Sequence, residues 1–97
     1  MNDIFDTYLK RYKSSEEDAL VYLYSSLIEL EDNQCEIFLN SVPMEKTDTD
    51  SIVHILNALS PRKEIISNWD EYVSKFRVRL IELEGEESIN ELMSVIL

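Results

Sequence analysis

The scarcity of turn-forming residues most limits the folds that this chain can adopt. Among its 97 residues there is one glycine, Gly85, and there are two prolines, Pro43 and Pro61. β-Sandwiches and β-barrels need many tight turns, which glycine and proline form most readily, whereas helices joined by short polar links need few. The sequence therefore predicts an all-α fold: a single compact domain over residues 1–97, with five or six helices in a bundle-like or orthogonal array.

Apolar periodicity indicates where these helices lie. Apolar residues recur at steps of three and four along most of the chain, which is the spacing of one helix face. Residues 33–42 also fit a strand, but that strand would need a partner that only the opening stretch could offer, so we predict a helix there. Two longer helices, near residues 16–31 and 61–84, are expected to form the spine. The shorter helices are predicted near residues 3–13, 33–42, 50–59 and 88–96.

The segment from residue 68 to residue 88 fits two periods. Phe76, Val78 and Leu80 alternate with two arginines, as they would in a half-buried strand. The strand fails at Leu83, which would lie on the opposite face from Leu80. A helix explains more of the segment, with Pro61 near its start and Gly85 at its end. We therefore predict a helix that leaves Val78 outside its apolar stripe, which comprises Ile65, Trp69, Tyr72, Phe76, Leu80 and Leu83.

Negative charge is the strongest compositional signal. Twenty acidic residues and nine basic residues give a net charge of −11. Residues 14–50 hold ten acids and one base, and residues 81–97 hold five acids and no base. Such a field repels nucleic acid and anionic membranes, and it speeds the capture of basic proteins. The same acidity could serve only to keep a small protein soluble, and the sequence leaves that alternative open.

The leading hypothesis is a non-enzymatic protein-binding module. It would act as an inhibitor of the immunity, antitoxin or phage type, covering a basic surface of a partner protein with carboxylates, as DNA phosphates would. Tyr22 is the predicted aromatic anchor, and Asp48 and Asp50 could extend the acidic surface. Steps of three and four would cluster its later carboxylates on one continuous helix. The predicted acidic surface comprises Glu16, Glu17, Asp18, Glu29, Glu31, Asp32 and Glu36.

Surplus apolar residues support a second hypothesis. Val78 lies between Arg77 and Arg79 and outside the apolar stripe, and Val21 and Ile28 widen the apolar arc of the second helix. Either neighbouring helices cover these residues or a partner does. A regulatory or scaffold subunit that acts through helix–helix contacts, or a homodimer, would use them. The segment Arg77–Val78–Arg79 is thus a second candidate contact site.

Residues 51–73 fit a third hypothesis, a helix-turn-helix regulator of DNA. One helix would end at Leu59, and a second would begin with Arg62 and Lys63 and enter the major groove. The second helix would, however, present Asp70 and Glu71 towards phosphates, and the net charge opposes binding to DNA. Direct binding to nucleic acid is therefore not expected.

The chain has few residues that could carry out catalysis or bind a cofactor. His54 is the one histidine and lies beside an apolar stripe, and Cys35 is the one cysteine, without a nucleophile motif around it. A single glycine rules out a phosphate-binding loop and a nucleophile elbow. Asp48 and Asp50 lack the further oxygen donors and the glycine of a calcium loop. We expect no enzyme activity, no cofactor and no metal site.

Cysteine usage and the opening residues predict a cytoplasmic protein. One cysteine cannot form an intrachain disulfide, which suits a reducing compartment. Asp3 and Asp6 occupy the place where a secretory signal would be basic and then apolar. The longest apolar run, residues 19–24, is far too short to span a membrane.

Overall fold

Helices form the regular structure of this chain. The computed structural model describes residues 3–96, with side chains as far as residue 91. That part of the chain contains no strand, so the predicted all-α fold is confirmed, and the region around residues 33–42 is a helix. Short 3₁₀ helices occur at Met44–Lys46 and Ser60–Arg62. The α-helices are α1 (Asp3–Tyr12), α2 (Glu16–Ile28), α3 (Asp32–Ser41), α4 (Thr49–Leu59), α5 (Trp69–Glu84) and α6 (Glu86–Ile96).

Side-chain caps begin two of the central helices. The Ser15 hydroxyl accepts a hydrogen bond from the Asp18 N–H at 3.3 Å and starts α2. Asp48 starts α4, because its carboxylate accepts a bond from the Ser51 N–H at 2.7 Å, while the Asp48 N–H donates to the Ser51 hydroxyl at 3.0 Å. Such caps satisfy backbone N–H groups that the first turn leaves unpaired. At the other end of the chain, Gly85 stops α5 with a φ of 88°, as predicted.

The hydrophobic core forms around α4, which packs against α2, α5 and α6, while α1 covers α2. Every helix up to α6 contributes side chains that are buried from solvent. A fully buried aliphatic or aromatic side chain stabilises the folded state by about 1.5–3 kcal/mol through removal of apolar surface from water. The largest fully buried apolar side chains are Phe5, Leu23, Leu27, Ile52, Ile55, Leu56, Leu59, Phe76, Leu80 and Ile89.

Helices α2 and α4 lie side by side and run in the same general direction. At their N-terminal ends, Tyr12 is close enough to Glu16 of α2 and to Asp48 and Asp50 of α4 to interact electrostatically with all three. Near their C-terminal ends, the Arg62 guanidinium donates to the backbone carbonyls of Ile28 and Leu30. These two contacts fix which ends of the helices are adjacent.

The start of α5 differs from the sequence prediction. A continuous helix from residue 61 was expected, but the 3₁₀ helix at Ser60–Arg62 leads into a turn, and α5 begins at Trp69. Ile66 is 3% exposed and Ile65 is 50% exposed, the reverse of the predicted stripe. Ser67 and Asn68, the two residues between Ile66 and α5, are weak helix formers. The Arg62 guanidinium is bound to the carbonyls of Ile28 and Leu30 at the end of α2. Tertiary contacts therefore outweigh the helix start that Pro61 suggests.

Most of α5 follows the predicted helical period, but Leu83, the last residue of the predicted stripe, is 39% exposed. Phe76 and Leu80 are fully buried, and Val78 is 60% exposed. A strand would have placed all three on one face. The predicted apolar face of the last helix includes Ile89, which is buried; its other members, Leu92, Met93 and Ile96, lie outside the described side chains.

Candidate functional site

The predicted acidic surface does not form one continuous face. Glu16, Glu17 and Asp18 lie in the first turn of α2, and Glu29 lies just after its last residue. Thirteen helical residues span about 20 Å, so these carboxylates occupy opposite ends of the helix. The predicted clustering of Glu29 with Asp32 and Glu36 on one continuous helix is wrong, because α2 ends at Ile28 and α3 begins at Asp32.

Two of the predicted carboxylates, Glu31 and Glu36, lie next to residues of α3 and α5 near the C-terminal end of α2. The Glu31 N–H donates to the Gln34 side chain at 3.1 Å where α3 begins. Glu36 is half-buried, and it lies close enough to Tyr72 to contribute to raising the pKa of that phenol, after the larger effect of burial. Glu31 and Glu36 therefore contact α3 and α5 and do not share a surface with Glu16.

The fold instead gathers carboxylates from three separate segments at one end of the molecule. Glu16 comes from α2, Asp48 and Asp50 come from the start of α4, and Glu84 comes from the end of α5. The Thr49 hydroxyl donates to Glu84 Oε1 at 2.8 Å, which fixes α5 against α4. We call this group, with Tyr12, the acidic end: Tyr12, Glu16, Asp48, Asp50 and Glu84.

Two tyrosines lie among these carboxylates. The Tyr8 hydroxyl donates to both oxygens of Asp48, at 3.2 and 3.3 Å, and the Tyr8 ring centroid lies 5.7 Å from that of Tyr12. Burial, followed by the negative charge of Asp48, raises the pKa of Tyr8 far above its ordinary value. Burial and the charge of Glu16 also raise the pKa of Tyr12, which is 38% exposed. Both phenols therefore stay protonated and can donate hydrogen bonds.

The raised pKa of Tyr8 predicts loss of stability in alkaline solution. Above pH of about 10, the unfolded chain releases the Tyr8 proton while the folded chain retains it, so the free energy of unfolding falls by about 1.4 kcal/mol per pH unit from this group. Below that pH the contribution is fully present. Urea unfolding measured between about pH 8 and 11 should show a shallower fall for Tyr8→Phe than for the natural chain. Equal slopes would contradict the assignment.

A groove runs between α2 and α4 and opens next to the acidic end. It is lined by Leu20, Val21, Tyr24 and Ser25 of α2 and by His54 and Asn57 of α4, and we call it the α2–α4 groove. Val21 is 60% exposed and Tyr24 is 39% exposed, and the Tyr24 ring meets His54 edge to face at a centroid distance of 6.5 Å. Glu16 and Asp50 lie one helical turn before Leu20 and His54, so the groove leads into the acidic end.

His54 contributes a polar wall to this groove. Its Nδ1 lies 2.7 Å from the backbone carbonyl of Asp50. A carbonyl oxygen only accepts, so Nδ1 carries a proton and donates it to this bond. In the described part of the chain, Nε2 makes no hydrogen bond. It is therefore open to a binding partner.

Tyr22, the predicted anchor, lies on another side of α2. It is half-buried, and the Arg11 guanidinium lies over its ring, 4.5 Å from the ring centroid. This cation–π contact joins α1 to α2. Tyr24 is the tyrosine of α2 that lines the groove. Tyr22 and Tyr24 are two positions apart and therefore lie about 200° apart around the helix, and the side that α1 covers decides which of them is exposed.

The predicted basic–apolar site on α5 is not a continuous patch. Arg77 donates to the Asn90 side chain at 3.1 Å, whereas Arg79 donates to the backbone carbonyls of Glu45 and Thr47 at 3.1 and 3.0 Å. Val78 is exposed between the two arginines. Arg79 is therefore a structural contact between α5 and the loop before α4.

The geometry of a helix-turn-helix motif does not form at residues 51–73. Residues 60–68 separate α4 from α5, whereas that motif has a turn of about three or four residues. Arg62, predicted to open the recognition helix, binds the end of α2. The first turn of α5 exposes Asp70 and Glu71, which would face the DNA backbone.

Cys35 and His54, the residues considered for catalysis, lie in different parts of the fold. Cys35 is fully buried, with its sulfur 3.2 Å from the Arg62 guanidinium, and His54 lies in the groove. Among the residues described, no group of three or more His, Cys, Asp or Glu side chains is arranged to hold a metal ion. Within residues 3–96, no helix has the length and apolar character required to cross a membrane.

Comparison of the chain with protein-family models, with curated proteins and with solved structures found no match. Functional inference for this chain therefore depends on its own surface.

Proposed function

We propose that this protein is a non-enzymatic binding module whose acidic end covers a basic surface of a partner protein, and that it thereby inhibits the partner. The observation that carries the proposal is the convergence of Glu16, Asp48 and Asp50 near the partly exposed ring of Tyr12, with Glu84 of α5 bound to Thr49 between the two aspartates in sequence. Carboxylates beside an exposed aromatic ring combine electrostatic attraction with a residue type common at interface hot spots.

The local electrostatics favour a basic partner. Arg62 and Arg79 direct their guanidinium groups at backbone carbonyls rather than at carboxylates. Neither guanidinium therefore donates to a carboxylate of the acidic end, although the positive charge of Arg79, bound to the Thr47 carbonyl next to Asp48, lessens the negative potential there. A net charge of −11 adds long-range attraction for a cationic surface. Inhibition would follow if that surface binds nucleic acid, because carboxylates would occupy the place of phosphates.

Salt-dependent capture tests this proposal. The tagged chain is used to recover proteins from its native cell extract, and the recovered partner is then purified. We expect one basic protein whose association rate falls by about tenfold or more between 0.1 and 1 M salt, because the screening length shrinks from about 10 Å to about 3 Å. A partner whose association rate does not depend on salt would contradict the proposal. Tight binding of duplex DNA by the pure chain, with no protein partner, would also contradict it.

A second candidate function is self-association through α2. Val21, Tyr24 and Ile28 are 60%, 39% and 45% exposed and follow one another at helical steps of three and four. Such a stripe could pair with another helix. Sedimentation of the pure chain distinguishes the two candidates: a concentration-dependent dimer favours self-association, and a monomer favours a different partner.

A further inference from the structure

We infer that the α2–α4 groove binds an amphipathic α-helix of the partner, with the cationic end of that helix lying over the acidic end. This inference rests on the proposed function and names the element of the partner that is recognised. It commits to a helix with an apolar stripe and with lysine or arginine at one end.

The shape and the apolar lining of the groove suit a helix. Two neighbouring helices with the same general direction form a trough along their length, and Leu20, Val21 and Tyr24 supply its apolar surface. Bound helices use apolar anchors at steps of three and four to fill such grooves. From Glu16 to Ser25, the acidic end and the groove together extend about 14 Å along α2, so a helical segment of about ten residues covers both.

The charge of the groove favours one kind of helix. Glu16 and Asp50 lie at one end, and Arg62 lies near the opposite end, where it binds the carbonyls of Ile28 and Leu30. A helix with cations at one end only can place them beside the carboxylates and away from Arg62. A second copy of this chain fits less well, because two molecules of net charge −11 repel each other.

Polar atoms in the groove can orient the bound helix. Nδ1 of His54 is held by the Asp50 carbonyl, which leaves Nε2 as the other polar atom of the ring, and Asn57 is exposed on the same wall. Nε2 and the side-chain amide of Asn57 can form hydrogen bonds with polar side chains that flank an apolar stripe. The groove thus has an apolar surface, a polar wall and an acidic end, as pockets with oriented ligands do.

A peptide titration tests this inference on the whole chain. The probe is a synthetic helix of about 14 residues with leucines on one face and lysines at one end, and the control peptide has the same composition with the leucines dispersed. We expect the first peptide to shift the amide resonances of Leu20, Val21, Tyr24, Ser25, His54 and Asn57 of the ¹⁵N-labelled protein, and to bind about tenfold more tightly than the control.

A matched pair of variants locates the binding site. Val21→Glu and Ile37→Glu each add one negative charge at a position that is 60% and 66% exposed, respectively, and only Val21 lines the groove. Val21→Glu should weaken binding by about tenfold, because it places a hydrated charge in an apolar contact. Ile37→Glu should leave the affinity unchanged. Both exposed sites should tolerate glutamate without unfolding, which the amide spectra of the free variants will verify.

Three results would overturn the inference. The first is equal binding of both peptides, with no effect of Val21→Glu. That result would mean that the acidic end binds the lysines and that the groove does not bind a helix. The second is groove resonances that shift with protein concentration alone, which would assign the groove to a second copy. The third is the absence of saturable binding by either peptide. Failure of the proposed function itself is a separate result, namely a captured partner whose association rate does not depend on salt.

Discussion

Replacing Phe76 with alanine is expected to lower the free energy of unfolding by about 4 kcal/mol, because it removes a fully buried aromatic ring and leaves a cavity. Phe76 lies in the middle of α5, where it joins the core, and no water can fill its place with comparable contacts. This loss is a large part of the stability of a small domain, which is about 5–15 kcal/mol. Urea unfolding followed by circular dichroism measures it.

Val78→Ala is the matched control for this prediction. Val78 is two residues from Phe76 and 60% exposed, so its truncation should change the free energy of unfolding by no more than about 0.5 kcal/mol. In a half-buried strand the two residues would share a face and both truncations would be costly. Similar losses for the two variants would therefore contradict the helical period of α5.

Arg62→Ala is expected to cost about 2–3 kcal/mol of unfolding free energy, because hydrogen bonds from a charged donor contribute more than neutral ones. The guanidinium donates to the carbonyls of Ile28 and Leu30 and to the Cys35 sulfur. The carbonyls at a helix C-terminus lack intrahelical partners, and a cation there also interacts favourably with the helix dipole. One side chain thus fastens the end of α4 to the end of α2 and the start of α3.

Two further variants define what Arg62 contributes. Arg62→Lys keeps the charge but loses the planar fork of donors, so it should recover only part of the loss. Arg77→Ala removes a single exposed bond to Asn90 and should cost no more than about 0.5 kcal/mol. Thermal or urea unfolding of the three variants checks the order. An Arg62→Ala protein as stable as Arg77→Ala would show that the contact with α2 is not important for stability.

The sequence predicts the helices well where local signals agree. The apolar period of residues 69–80 and the stop at Gly85 depend on neighbours in the chain, and the structure confirms both. The start of α5 depends instead on contacts between residues more than 30 positions apart, from Arg62 to Ile28 and Leu30. The weak helix formers Ser67 and Asn68 are a local hint, but no local pattern contains the contact of Arg62 with α2, so the helix predicted from residue 61 is too long.

The candidate site was only partly predictable for the same reason. Charge density drew attention to Glu16, Asp48 and Asp50, but the pairing of Glu84 with Thr49 joins residues 35 positions apart. Helical period identified Tyr22 as a residue outside the stripe, yet Arg11 of α1 covers that side of α2. The apolar period places Tyr24 in the core stripe of α2, yet it is 39% exposed, because the packing of the other helices decides which side of a helix stays open.

The location of the charge, rather than its total, is the central claim of the proposed function. The double variant Glu16→Gln/Asp50→Asn removes two carboxylates from the acidic end. Glu29→Gln/Asp32→Asn removes two from the opposite end of α2. Both change the net charge from −11 to −9, since −11 + 2 = −9, so any effect of total charge is the same in the two variants.

The most direct test is the association rate of these two variants with the captured partner at low salt. If the acidic end meets the basic surface, Glu16→Gln/Asp50→Asn should slow association by about tenfold, and Glu29→Gln/Asp32→Asn by no more than about twofold. Equal slowing by the two variants would contradict the account, because it would mean that the overall charge, and not the acidic end, attracts the partner.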